Sequence, residues 1–217
     1  MSKIEPFEKY TRQYEDWFET HTFVYESELQ AIKDQLPSSE EGIEIGVGSG
    51  RFAAPLGIKL GIEPSAKMRE IAQRRGIEVI DGVAENLPFR DKKFHFILMV
   101  TTICFLNDIK TAFQEVHRVL KPRGCLIVGF IDKTSTLGEL YQKHKKTNVF
   151  YNRATFYSVE DVVFHLKRIG FKKFHFTQTI FHKLNEINDI EPIKEGYGEG
   201  SFVVVKTIKK NSQKKKF

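Results

Sequence analysis

A chain of 217 residues with 41% apolar content and mixed charges fits one globular domain, or one domain with appendages, long enough to bury a full core. Its formal charge of +6 invites a nucleic-acid reading, yet six lysines and no acid fall between Lys206 and Phe217. The remainder holds 28 basic residues against 28 acids and is neutral. The charge therefore belongs to a basic, solvated tail over 209–217, which argues against a nucleic-acid partner. Cys104 and Cys125 sit in apolar runs and read as reduced, buried small hydrophobes, and no spacing of His, Cys and acids suggests a metal site. The N-terminal Met-Ser-Lys-Ile-Glu-Pro has no apolar signal core, and the run from Phe96 to Leu106 is too short to span a bilayer. A cytoplasmic protein with no membrane insertion is expected.

Residues 7–36 are predicted to be helical in two pieces, with Phe7, Tyr10, Tyr14, Trp17 and Phe18 at spacings of three and four. Five aromatics on one face suit either core packing or a helical lid, and the lid is assigned to 1–38. Ile43 and Ile45 then break into Gly46, Gly48 and Gly50, as a strand does when its turn must approach a ligand closely. A dinucleotide turn would read G-x-G-x-x-G, but here the third glycine comes one residue early and is followed by Arg51. Glu44 would repel a pyrophosphate, so the turn suits a cationic ligand. A short helix over 51–56 and a strand over 58–62 follow, the strand ending at Glu63-Pro64-Ser65. An acid at the carboxyl end of a parallel strand can accept both hydroxyls of a ribose.

Ser65 is expected to cap a helix closed by Gly76, and a strand over 77–80 leads into the loop 81–89. Phe94–Val100 reads as a central strand, apolar on both faces. Asn107 or Asp108 starts a helix that gives way to Lys121-Pro122-Arg123-Gly124 and a strand from Cys125 to Ile131. The segments 132–157 and 181–200 are predicted rims, separated by a Ser158-capped helix and a strand over 171–180, with a last strand over 201–208.

Three motifs together, E-x-G-x-G-x-G at 44–50, A-E-N-L-P-F at 84–89 and L-K-P-x-G at 120–124, resemble the Rossmann-like (class I) S-adenosylmethionine-dependent methyltransferases of the ubiquinone and menaquinone type. The resemblance implies an α/β fold: a doubly wound, seven-stranded, mainly parallel sheet with an antiparallel last strand, plus the N-terminal helices. It makes 1–208 a single methyltransferase domain. S-adenosylmethionine would be held by Glu44, Gly46, Gly48 and Gly50, by Glu63 with Pro64 and Ser65, by Val83, Ala84 and Glu85 at the adenine, and by Val100 and Thr101 as floor. Val83 stands where these enzymes carry an acid, so adenine would rely on apolar contact and on the backbone of Ala84 and Glu85; whether Asp81 substitutes stays open.

The implied partner is a small-molecule methyl acceptor, an amine, phenol or quinol. Because the donor methyl is already activated, alignment and exclusion of water can carry catalysis, so no catalytic residue is assigned. His144 and His182, in the rims, are the better candidates for a base, and Glu191, Glu195 and Glu199 would suit a cationic amine. A nicotinamide-dependent Rossmann oxidoreductase, a non-catalytic cofactor-binding module and an RNA methyltransferase are the alternatives.

Overall fold

Phe94–Val100 (β4) is buried at every position except His95, as a strand must be when it is covered on both faces. In the computed structural model, which describes residues 3–38 and 41–210, β4 lies inside an eight-stranded sheet. The other strands are Gly42–Ile45 (β1), Leu60–Ile62 (β2), Glu78–Ile80 (β3), Leu120–Ile131 (β5), Phe171–Thr179 (β6), Lys194–Glu195 (β7) and Phe202–Lys209 (β8). Their order is β3-β2-β1-β4-β5-β8-β6-β7. The pairs among β1 to β5 are parallel, while β8 runs antiparallel to both β5 and β6. The sheet is thus the expected one, except for an eighth strand: two residues of the 181–200 segment pair with Thr177 and Gln178 at the edge.

Helices cover both faces. Ile109–Val119 (α5) and Val159–Ile169 (α7) pack on one side. In α5, Ile109, Ala112, Phe113, Val116 and Val119 recur every three or four residues and are all buried. Each large member contributes about 1.5–3 kcal/mol of burial. Asp108 caps α5 through Lys110 N–H at 3.0 Å, and Ser158 with Asp161 forms a capping box on α7. The other face carries Thr22–Gln35 (α3) and Ala66–Arg74 (α4), the latter capped by Ser65. Glu5–Lys9 (α1) and Thr11–Thr20 (α2) precede α3, so the N-terminal region holds three helices, broken at Tyr10 and His21, where two were expected.

Two further expectations are corrected. Residues 51–57 form linked turns instead of a helix, because Pro55 lacks an N–H and Gly57 ends the segment at φ +74°. Lys209 belongs to β8, not to a tail: it is buried, and its ammonium donates to the carbonyls of Leu120, at 2.7 Å, and His117. The rest of the tail expected over 209–217, from Asn211 onward, lies outside the described residues. Among the described residues no helix is long and apolar enough to cross a membrane.

Candidate active site

Strand order reverses between β1 and β4, and the crevice beyond their carboxyl ends is where ligands lie in such sheets. A cavity with about 830 Å³ of empty space, part of it open to solvent, lies there. Gly46, just after β1, adopts φ +71°, and a Cβ on it would stand 2.4 Å from Thr102 Cγ2. The Thr102 hydroxyl is itself fixed, donating to the carbonyls of Val100 at 2.9 Å and Ile45 at 3.2 Å. Gly48, at φ +53°, turns its N–H onto Glu63 Oε2 at 2.9 Å, while Ser65 N–H donates to Oε1 at 2.9 Å. Burial pushes the Glu63 carboxyl up to about 6 in spite of these two bonds. Each oxygen keeps a lone pair beyond the backbone bond it accepts, so a pinned acceptor faces the cavity.

Pro64 continues this wall. Val83, Ala84 and Glu85 line the cavity from the end of β3, and Val100 and Thr101 from the end of β4. The Glu85 carboxylate accepts from Asn107 N–H at 2.7 Å and Asp108 N–H at 3.2 Å, tying this loop to the start of α5. Thr101 is at φ +48°, a costly conformation for a branched residue, held by its N–H bond to Gly129 O at 2.7 Å.

Three expected residues do not line the cavity. Glu44 is buried behind the glycine turn, since alternation along β1 sends it away from Ile45, which does face the cavity. Burial raises its carboxyl well above the usual range, and Oε2 has no hydrogen-bond partner among the described residues. Gly50 is required for packing: a Cβ would meet Ile77 Cδ1 at 2.5 Å. Ser65 serves as the α4 cap and as a donor to Glu63. Asp81 does not line the cavity either; it is exposed and paired with Arg69 at 2.9 Å.

A second, larger chamber of about 1350 Å³, part of it open to solvent, adjoins the first and shares Phe7, Tyr14, Thr101 and Phe105 with it. Helices α2 and α3, with the break at His21 between them, wall it through Trp17, His21, Val24 and Glu28. Thr136–Lys143 (α6) and the turn after it contribute Leu137, Tyr141, Phe150 and Tyr151 from the opposite side. Burial and the nearby Glu63 carboxyl push the Tyr14 phenol up. Thus the expected 132–157 rim does face a cavity, whereas His144 and His182 do not; both are exposed, and His182 pairs with Glu191. Glu191, Glu195 and Glu199 also face elsewhere, bound to His182, His175 and Lys194 respectively.

Helix α2 is fastened to the glycine turn. The Glu15 carboxylate pairs with Arg51 at 2.8 Å and with Arg75, and Arg51 also bonds Glu19 at 2.7 Å. Although burial pushes Glu15 up, its hydrogen bonds from Arg75, Ser49 and Arg51 hold it below the usual range. The arginine that departs from the dinucleotide turn therefore anchors the N-terminal helices. Sequence reasoning singled out the aromatic face of these helices and the stretch Thr101 to Phe105 at the end of β4, of which Thr101, Thr102 and Phe105 line the cavity, but missed Glu28. For Glu28 a signal existed: it shares the buried face of α3 with Val24, Ala31 and Ile32.

A family model described as a methyltransferase domain matches residues 43–128, the segment carrying β1 to most of β5. The crystal structure of an S-adenosylmethionine-dependent methyltransferase from Thermotoga maritima, described as a possible histamine N-methyltransferase, superposes with a TM-score of 0.94. It is 51% identical and matches over 96% of this chain and 100% of that one. The chain belongs to the class I S-adenosylmethionine-dependent methyltransferases, and S-adenosylmethionine is its cofactor. An uncharacterized protein of Methanocaldococcus jannaschii is 43% identical over 94% of this chain and 98% of its own length. A demethylmenaquinone methyltransferase of Chlorobaculum tepidum is 32% identical over 46% of this chain and 45% of its own length.

Proposed function

We propose that the enzyme methylates a small molecule held in the second chamber, with the cofactor in the first. The observation that carries this reading is the shared wall of Phe7, Tyr14, Thr101 and Phe105, which puts two separately lined cavities in contact. In the first, the backbone at Gly46 and Gly48 would receive the amino-acid portion of the cofactor, with Val100 and Thr101 beneath it. Glu63 would accept from the ribose hydroxyls beside Pro64, and Val83, Ala84 and Glu85 would edge the adenine. Glu44, Gly50 and Ser65 would act from behind, shaping the turn and setting Glu63. Bound there, S-adenosylmethionine supplies an electrophilic methyl carbon on a sulfonium.

The chain's own contribution is alignment and exclusion of water. Helices α1 to α3 would serve as the lid assigned to 1–38, with Phe7 and Tyr14 closing over both chambers. The segment 132–157 would form the acceptor rim. A chamber enclosed by aromatic rings fits a small molecule better than an RNA strand, and the neutral body of the chain agrees; a cytoplasmic location is part of the proposal. The description of the Thermotoga relative names a small aromatic amine, of a size this chamber holds. Calorimetry with S-adenosylhomocysteine, followed by transfer of labelled methyl to a panel of amines, phenols, thiols and quinols, tests the proposal. No binding of the demethylated cofactor at millimolar concentration would overturn it. Cofactor binding with no acceptor turned over would favour a binding module.

A further inference from the structure

Glu28 is 4% exposed, yet it lines the second chamber, and no hydrogen bond or ion pair to another described residue supports it. A carboxyl enclosed without a donor is costly, which singles out a position where something else supplies the donor. Three features of the wall say what that is. Among the described residues no lysine or arginine lines the chamber, and the acids that do are Glu28 and, at the exposed edge, Asp16. Nine aromatic rings line it, including Trp17, Tyr141, Phe150 and Tyr151. Tyr141 and Tyr151 lie close enough to Glu28 for its charge to raise both phenols, burial being the larger cause. Acid plus ring faces, with no competing cation, is the chemistry that holds an ammonium group.

We propose that Glu28 anchors the acceptor and that the acceptor is an amine entering as its ammonium ion, the cation against the Glu28 carboxylate and the carbon skeleton among the rings of Trp17, Tyr141, Phe150 and Tyr151. The ammonium gives up one proton to that carboxylate before its nitrogen can accept a methyl group. The proposal rests on the assignment of the second chamber to the acceptor. Burial alone pushes Glu28 up to about 8, so an entering ammonium meets a carboxyl that must ionise to pair with it. The other titratable groups lining the chamber are Tyr14, Asp16, His21, Tyr141 and Tyr151. The ring of His21 stacks on Trp17 at 4.9 Å, with Nδ1 directed at the Trp17 carbonyl.

Trp17 is the sole tryptophan of the chain and lines this chamber, so its fluorescence reports on occupancy. The probes are 2-phenylethylamine and 2-phenylethanol, matched in shape and differing in charge, titrated with S-adenosylhomocysteine present. The amine is expected to bind at least tenfold more tightly than the alcohol, and more tightly as pH rises from 6 to 8. Glu28→Gln should weaken the amine at least tenfold and leave the alcohol unchanged. Equal affinity for the two probes in the unaltered enzyme, no saturable response to the amine, or an unchanged amine affinity in a folded Glu28→Gln protein overturns the proposal. Cofactor binding is read separately by calorimetry: its failure sinks the methyltransferase assignment, whereas intact cofactor binding without amine discrimination sinks this inference alone.

Discussion

Replacing Glu63 by Gln changes one atom at the point where the glycine turn, β2 and the cofactor cavity meet. In the native protein Gly48 N–H and Ser65 N–H each donate to one carboxylate oxygen at 2.9 Å. An amide offers one acceptor and one NH2 group, so one of the two N–H groups must face a donor. Loss of a hydrogen bond to a charged group costs about 1.5–3 kcal/mol, which corresponds to roughly a 10- to 150-fold weaker dissociation constant if the loss falls on the bound state. The ribose loses an acceptor as well, so the expected change lies toward the upper end. The backbone bond lost is already present without cofactor and so costs stability, and at neutral pH relief of the buried charge offsets that cost. The Glu63 carboxyl is raised to about 6 by burial, and the fold therefore loses stability as pH rises from about 4.5 to about 6, a loss the amide does not suffer. Calorimetric titration with S-adenosylhomocysteine, beside thermal melts of both proteins, separates the two effects. An affinity within threefold of the native value in a protein of unchanged melting temperature would refute the assignment of Glu63.

Gly46→Val introduces a branched side chain at φ +71° against Thr102, and should abolish cofactor binding and lower the melting temperature; native-like calorimetry would show that the turn tolerates what its geometry forbids. Val83→Asp, at a position 36% exposed on the cavity edge, should leave affinity unchanged or raise it severalfold, and a tenfold loss would place the adenine elsewhere. Glu28, raised to about 8 from an ordinary 4.5, binds its proton more tightly in the fold than in the unfolded chain. Stability should thus decline as pH rises from about 4.5 to about 8, by an amount on the order of 3 kcal/mol at pH 7. Melts of Glu28→Gln should show a flatter pH profile and a higher melting temperature than the unaltered protein at pH 9; identical profiles would mean Glu28 is not buried as described.

Much of this architecture was legible because its signals are local. The apolar run of β4, the Ser65 and Ser158 caps and the placement of Glu63 at a strand end each depend on a few neighbouring residues. Glu28 was not legible in the same way. Whether a carboxyl on the buried face of α3 meets a helix or an empty chamber depends on where Leu137, Tyr141 and Tyr151 come to rest, more than a hundred positions later. The glutamates of 181–200 misled for the same reason: the pairing of Lys194 and Glu195 with β6 leaves Glu195 and Glu199 on the exposed outer edge, while Glu191 is buried against Phe181 N–H. Lys209 reads as one of a run of tail lysines, yet carbonyls of Leu120 and His117 draw it inside. A truncation meant to separate the basic tail from the fold must therefore cut after Lys210, since a cut after Val205 would remove half of β8.

The ties from Glu15 to Arg51 and Arg75 make the glycine turn and the aromatic roof one mechanical unit, and Phe7 and Tyr14 of that roof belong to both chambers. Occupants that share a roof do not bind independently. Whatever factor S-adenosylhomocysteine adds to the affinity for an acceptor, the acceptor must add to the affinity for S-adenosylhomocysteine, because the free energy of the doubly occupied enzyme does not depend on the order of entry. If that factor is favourable, an acceptor that seats well also tightens S-adenosylhomocysteine, and methyl transfer in a single turnover is expected to outpace steady-state turnover.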